Sequence, residues 1–393
     1  MTDELALVFP AAVHCGGVER VALDVLTRLA ARHQVAFIGE RLDQGSADSI
    51  RFRQVSARKG WRHPRAFRAA AQKELARERP DTLMSFGVNC PPGDVYWVHS
   101  VHRAWVQSGS AVRVKGVAIP AFVRRLLPRH RVLLRLEKDY FCRHRPRAIL
   151  CTSQREVDDL ATLYAVSRDV MHVVPNGFDA SRFNPADRSC LRSAVRAELG
   201  VADSDISILF IVNELHRKGF TVLLEALALV ADRRLRVDLV GRADPAPFAG
   251  MIDRLGLTGR VFWHGSTDTV ERFHAAGDLL VLPTQYEPFG LVIIEALASG
   301  LPVITTALAG AAAAVSPDVG LLQQDPHDAQ ELADLLRQAL QPGALERWGA
   351  AAPAAAAPYE WDAVLRGAEP LIFGTTLSEG LSETPGTDAR GDS

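Results

Sequence analysis

The chain has 393 residues, 48% of them hydrophobic, a mean hydropathy of +0.02 and a formal net charge of −1. That length holds two domains, each with its own core. The composition is that of a soluble globular protein, because no apolar run reaches the ~18–20 residues that span a bilayer.

The near-neutral total hides a split. Residues 1–172 carry 28 Lys+Arg against 17 Asp+Glu, and the remainder carries 17 against 29. Two domains facing different partners are expected. Five cysteines (Cys15, Cys90, Cys142, Cys151 and Cys190) form no C-x-x-C pair. That pattern reads as a reduced, cytoplasmic protein without a structural zinc. The acidic start, Met1-Thr2-Asp3-Glu4, leads straight into a strand, so no signal peptide is expected.

In chain order, Leu5 to Phe9 reads as a short buried strand, followed by Pro10 and the pair Gly16-Gly17. Val18, Val21, Ala22, Val25, Leu26 and Leu29 then recur at helical spacing, and His33 to Gly39 returns as a strand. This β-loop-α-β opening predicts a parallel sheet. Further strands are expected at 50–55, 81–86, 95–99, 147–152 and 171–174. The rhythm restarts with a strand at 206–212, a helix at 219–231 and strands at 235–240, 260–263 and 278–282. A helix at 290–299 and a strand at 302–305 complete it, with Gly300 and Pro302 as the stop between them.

The expected architecture is therefore α/β, with two Rossmann-like doubly wound domains facing across a cleft. The first spans 1–175, and the second 176–370, with its last helix packing back on the first. The stretch 343–358 is Ala/Pro-rich and reads as helix with breaks, and 375–393 reads as a disordered tail. Such domains bind ligands at the C-terminal ends of their strands, and the chemical motifs fall there.

Glu287-Pro288-Phe289-Gly290-Leu291 begins the most informative segment, which ends at Glu295-Ala296. A strand, a Gly-bearing turn and a helix N-terminus make a phosphate-binding layout. A carboxylate on either side can accept hydrogen bonds from sugar hydroxyls. Glu295 stands in an otherwise apolar run from Leu291 to Leu297, so it needs a partner. Asn213-Glu214-Leu215-His216-Arg217-Lys218-Gly219 follows a strand, and its two adjacent cations suit a diphosphate. Lys218 is the sole lysine of the second half. Gly16-Gly17-Val18-Glu19-Arg20 opens a helix after the first strand; it is neither a G-x-G-x-x-G fingerprint nor a P-loop.

Strand 95–99 ends in His99, with His102 just beyond. His99 is a candidate to orient or deprotonate an acceptor hydroxyl, or else a core histidine. Asp203-Ser204-Asp205 has the shape of a metal-binding D-x-D, but it precedes a strand, so turn chemistry explains it better. The basic segment 124–147 interleaves Arg and His with Leu126, Leu127, Val132, Leu133, Leu134 and Leu136, just behind Phe122 and Val123. It reads as a helix pair with a solvated basic face, or as a peripheral contact with an anionic membrane surface.

Taken together, the Gly16-to-Arg20 loop, the Val174-Pro175-Asn176-Gly177 turn, Arg217-Lys218-Gly219 and the glutamates Glu287 and Glu295 resemble glycosyltransferase family four. These are retaining transferases of GT-B fold. Asn213-Glu214 and Asp94-Val95-Tyr96 look most like the lipopolysaccharide-core glucosyltransferase branch. The resemblance implies transfer of a hexose from a UDP- or GDP-sugar to a hydroxyl of a glycan, lipid-linked or small-molecule acceptor. No metal, other cofactor or nucleic-acid partner is expected. It also implies the roles: Arg217 and Lys218 on the donor diphosphate, Glu295 on the ribose and Glu287 on the donor sugar. Backbone at Phe289, Gly290 and Leu291 would cradle phosphate and sugar, Gly17 would close from the first domain, and His99 would stand on the acceptor side. Two other readings remain: a non-catalytic sugar-nucleotide-binding protein of the same fold, and a phosphorylase-like enzyme with pyridoxal on a lysine.

Overall fold

The computed structural model describes residues 4–14, 16–43, 49–108, 112–114, 117–119 and 121–375. Cys15, and the tail beyond Thr375 that was expected to be disordered, lie outside the described residues, as does the side chain of Phe122.

Two parallel sheets organise the chain. The first has seven strands in the spatial order Met171–Val173, Ala148–Cys151, Val95–Val98, Thr82–Ser85, Glu4–Val8, Gln34–Gly39 and Ile50–Gln54. The second has six, in the order Val261–Trp263, Leu235–Val240, Ile206–Ile211, Leu279–Leu282, Val303–Thr306 and Gly320–Gln323. Every pairing within these sheets is parallel. Central strands such as Leu279–Leu282 are buried at every residue, because helices cover both sheet faces.

In each sheet the strand order reverses beside the first strand of that sheet. Glu4–Val8 lies between Gln34–Gly39 and Thr82–Ser85, and Ile206–Ile211 between Leu235–Val240 and Leu279–Leu282. Such a switch point opens a crevice beyond the strand ends. The loops carrying Gly16-Gly17, Arg217-Lys218 and Glu287 all emerge there.

The Ala/Pro-rich stretch differs from the expectation of a broken helix. It is one continuous helix, Ala344–Ala356, with Pro353 inside. The alanines around Pro353 hold the highest helix propensity and carry the element through it. The basic segment is mostly one helix, Pro128–Arg143. Val132, Leu136 and Tyr140 turn into the core of the first sheet, while Arg125, Arg129, Arg131, Arg135 and Lys138 are exposed. Leu126 ahead of it is 65% exposed.

The last helix, Trp361–Phe373, returns to the first sheet. Trp361, Val364, Leu365, Ala368 and Ile372 share a core cluster with Leu5, Leu7, Val25 and Trp97. The Trp361 indole N–H donates to Asp24 Oδ2 at 3.2 Å. Its ring lies where a Cβ on Gly177 would stand, 2.4 Å away. Trp361→Ala is expected to lower stability by about 3–5 kcal/mol, the cost of emptying a large aromatic site. Urea denaturation checks this, and a loss below about 1 kcal/mol would show the returning helix to be dispensable.

Candidate functional site

The site is built where two loops of the second sheet interlock. After strand Ile206–Ile211 the chain turns through 213–219 and enters the helix Phe220–Val230. Gly219 has φ +82°, and a Cβ there would meet Pro283 O at 2.0 Å. The glycine lets this loop press against the segment after strand Leu279–Leu282. Gln285 N donates to Arg217 O at 2.9 Å, and Arg217 Nη1 donates to Tyr286 O at 2.5 Å. Arg217 Nε bonds Glu214 Oε2 at 2.8 Å. Thr306 Oγ1 donates to Thr284 O at 2.8 Å and fixes the turn from below.

Lys218 Nζ contacts Glu287 Oε2, with the side chains 13% and 12% exposed. Burial, and then the neighbouring Arg217, push the Lys218 ammonium well below its ordinary value. The Glu214 carboxylate pulls the other way, more weakly. Three residues later Gly290 takes φ +102°, where a Cβ would meet Ile293 Cδ1 at 2.9 Å and Glu287 Cγ at 3.1 Å. Only glycine turns the chain there into the helix Leu291–Ala298. The first N–H groups of that helix have no partner within it and favour an anion.

Glu295 lies on the fifth residue of this helix and is 1% exposed. Its partner is Arg20 of the first domain, whose Nη2 contacts Glu295 Oε1. Glu295 Oε2 is buried and accepts no hydrogen bond. The pair joins the start of the helix Val18–Ala30 to the start of Leu291–Ala298. Gly17 caps the former, and a Cβ on it would meet nothing within 4 Å.

Other bonds cross between the domains. Ser153 Oγ donates to Pro288 O at 3.0 Å, Arg155 Nη1 to Leu308 O at 2.8 Å, and Tyr286 Oη to Val101 O at 3.3 Å. Glu287 and the Pro288-Phe289-Gly290 turn are thus gripped from both sides. Gly310 N donates to Glu287 O at 3.1 Å and Ala311 N to Phe289 O at 2.8 Å.

His99 follows strand Val95–Val98 and stacks near Phe86 and Trp97. Both ring nitrogens are buried and unpartnered, and burial pushes the imidazole down to about 3. At neutral pH the ring is uncharged and too weak a base to carry off a proton, but it can hydrogen-bond a hydroxyl. His102 bonds His130 instead, at 3.1 Å. Asp203-Ser204-Asp205 lies ahead of strand Ile206–Ile211, at the end of the sheet opposite the cleft, and Asp205 Oδ2 accepts from Ala202 N at 3.0 Å. Turn chemistry accounts for it.

The comparisons with known proteins fit this geometry. Residues 15–182 match the family described as Glycosyltransferase Family 4, and residues 192–354 match glycosyl transferases group 1. The chain belongs to glycosyltransferase family four. Among curated relatives of this family four enzyme is the lipopolysaccharide glucosyltransferase WaaG of Escherichia coli K12, 26% identical over 83% of this chain and 86% of that protein. A D-inositol 3-phosphate glycosyltransferase of Xylanimonas cellulosilytica is 32% identical, over 55% of this chain and 54% of its own length. The crystal structure of WaaG superimposes with a TM-score of 0.80 at 23% identity, covering 94% of this chain and all of that one. The fold is GT-B. The enzyme is a glycosyltransferase.

Sequence reasoning named both glutamates and both cations but assigned no role to Arg20. The signal was present: a glutamate in an apolar run requires a partner, and Arg20 ends the glycine motif that faces it.

One further buried acid stands beside the turn. Glu156 is 1% exposed, accepts from Thr152 N and Oγ1 at 2.7 and 2.9 Å, and burial pushes its carboxyl up to about 8. Between the unfolded value near 4.5 and about 8 the folded state holds a proton that the unfolded state has lost. Stability therefore falls as pH rises through that window and levels off above it. Glu156→Gln removes this dependence. Its melting temperature is expected to exceed the parent's by a margin that widens from pH 5 to pH 8. A margin independent of pH would contradict the assignment.

Proposed function

We propose that the enzyme is a retaining, metal-independent transferase that moves a hexose from a UDP- or GDP-sugar to a hydroxyl of a glycan, lipid-linked or small-molecule acceptor. The observation that carries this is the convergence of Lys218, Arg217, Glu287, Glu295 and the Gly290 turn on one crevice. In this reading the donor diphosphate lies on the helix N-terminus at Phe289, Gly290 and Leu291, with Lys218 and Arg217 beside it. Glu287 exchanges its lysine partner for hydroxyls of the sugar, and Glu295 accepts from the ribose.

The chemical demand is to stabilise charge on the departing diphosphate as the glycosidic bond breaks. Two cations and a helix N-terminus answer it electrostatically. The family resemblance supports retention of configuration. A solved neighbour of the same fold, Anabaena Alr3699/HepE, was determined in complex with UDP-glucose at a TM-score of 0.72, which supports a uridine donor. His99, with its uncharged ring, serves as an acceptor-side hydrogen-bonding group. Closure of the two domains excludes water and limits donor hydrolysis.

The lipopolysaccharide relative supports an envelope glycan or lipid-linked acceptor. The exposed arginines of 124–147 favour a peripheral contact with an anionic membrane face from the cytoplasm. Among the described residues no helix is long and apolar enough to cross a membrane.

A thermal-shift panel of uridine, guanosine, adenosine and thymidine diphosphate sugars tests the donor assignment. A uridine or guanosine donor is expected to raise the melting temperature. Lys218→Ala and Glu287→Ala are each expected to abolish that shift and to lower kcat/KM by roughly 100-fold or more. The proposal fails if no donor stabilises the protein and Glu287→Ala transfers sugar as the parent does.

A further inference from the structure

The Arg20–Glu295 pair has an unusual form. A guanidinium and a carboxylate commonly meet as a fork, two parallel bonds to two oxygens. Here the contact is made by Arg20 Nη2 on Glu295 Oε1 alone, and Glu295 Oε2 accepts nothing. A buried carboxylate oxygen without a hydrogen bond is costly, and each one in a native structure asks for an explanation. Arg20 also lies one turn beyond Gly17 on the same helix, so the two share a face. A Cβ on Gly17 would meet no atom within 4 Å. Open space therefore lies at Gly17, one turn from Arg20. Asp24 and Glu271 act on Arg20 as well, but Glu295 is the largest influence.

We propose that Arg20 is a positioning residue for the donor. It reaches across from the first domain, holds Glu295 through Oε1 and so presents Oε2 to a ribose hydroxyl. This rests on the donor reading above and adds to it. Ribose recognition is then shared between the domains: the carboxylate belongs to the second, and the residue that sets its direction belongs to the first. Selection for a ribonucleotide is thereby tied to domain closure, because the pair exists only when the two helices face each other.

A bland alternative is an ion pair that merely fastens the domains. The two differ in what Arg20 does to selectivity. Calorimetric titration of the full chain with UDP and with 2′-deoxy-UDP measures it, with GDP and 2′-deoxy-GDP as the second pair if guanosine is the better ligand. The parent is expected to prefer the ribonucleotide by roughly tenfold or more, the value of a hydrogen bond to a charged group. Glu295→Gln and Arg20→Gln are each expected to lose most of that preference. Arg20→Lys, which keeps the charge, is expected to recover part of it. Because the readout is a ratio within each variant, a general loss of stability or affinity does not imitate the effect, and Arg20→Met serves if Arg20→Gln does not fold.

An Arg20→Gln or Arg20→Met protein that weakens both nucleotides equally, keeping the parent's preference, overturns the positioning role and leaves Glu295 on the ribose. A parent without any preference overturns the ribose assignment itself, and the proposal with it.

Discussion

The structure turns on the problem of a glutamate in a hydrophobic helix. Glu295 follows Leu291, Val292, Ile293 and Ile294 and is almost wholly removed from water. An isolated buried carboxylate is untenable, so it must be paired. The nearest solution would be a cation on its own domain. The chain instead supplies Arg20 from the other domain. Removing one member of such a pair costs roughly 3–5 kcal/mol, because the other is left charged and buried. The two Rossmann-like units are therefore bound together by the chemistry of the site, and not only by the returning helix that carries Trp361.

A second ion pair, Lys218 with Glu287, repeats the arrangement within the second domain. Both carboxylates of the motif are thus held by cations of the cleft. This has a physical logic. A site for the proposed diphosphate sugar must hold cations and hydrogen-bond acceptors close together. In the structure the two sets pair with each other. In the proposed donor complex Lys218 turns to phosphate and Glu287 to sugar hydroxyls, while Arg20 keeps its hold on Glu295. The same pairing keeps the groups of the crevice in position for the proposed donor.

Much of this was legible in the sequence, for reasons that can be named. Strand Leu279–Leu282 and helix Leu291–Ala298 are strongly apolar and closed by glycine and proline, so their bounds could be read closely. Glu287 and Glu295 stood out because each contrasts with its surroundings. What the sequence did not show was which cation meets which acid. Arg20 and Glu295 are 275 positions apart, and no local pattern links them. The same holds for Ser153 with Pro288 and Tyr286 with Val101, contacts that exist only once both sheets are formed. The Ala344–Ala356 helix was hidden for another reason: Pro353 is a local breaker, and its alanine context overrides it. His99 was visible as a residue at a strand end, but not as a base weakened by burial, since burial is a property of the packed fold.

The most direct test of the account is calorimetric binding of UDP, or of GDP if that binds better, with and without a metal chelator, to the parent and to Lys218→Gln. If the protein's own cations neutralise the diphosphate, the parent's affinity is the same with chelator present. Lys218→Gln then binds roughly 30-fold more weakly or worse, as expected for loss of a charge-assisted contact in a buried site. Binding that vanishes with chelator, or that survives unchanged in Lys218→Gln, would contradict it.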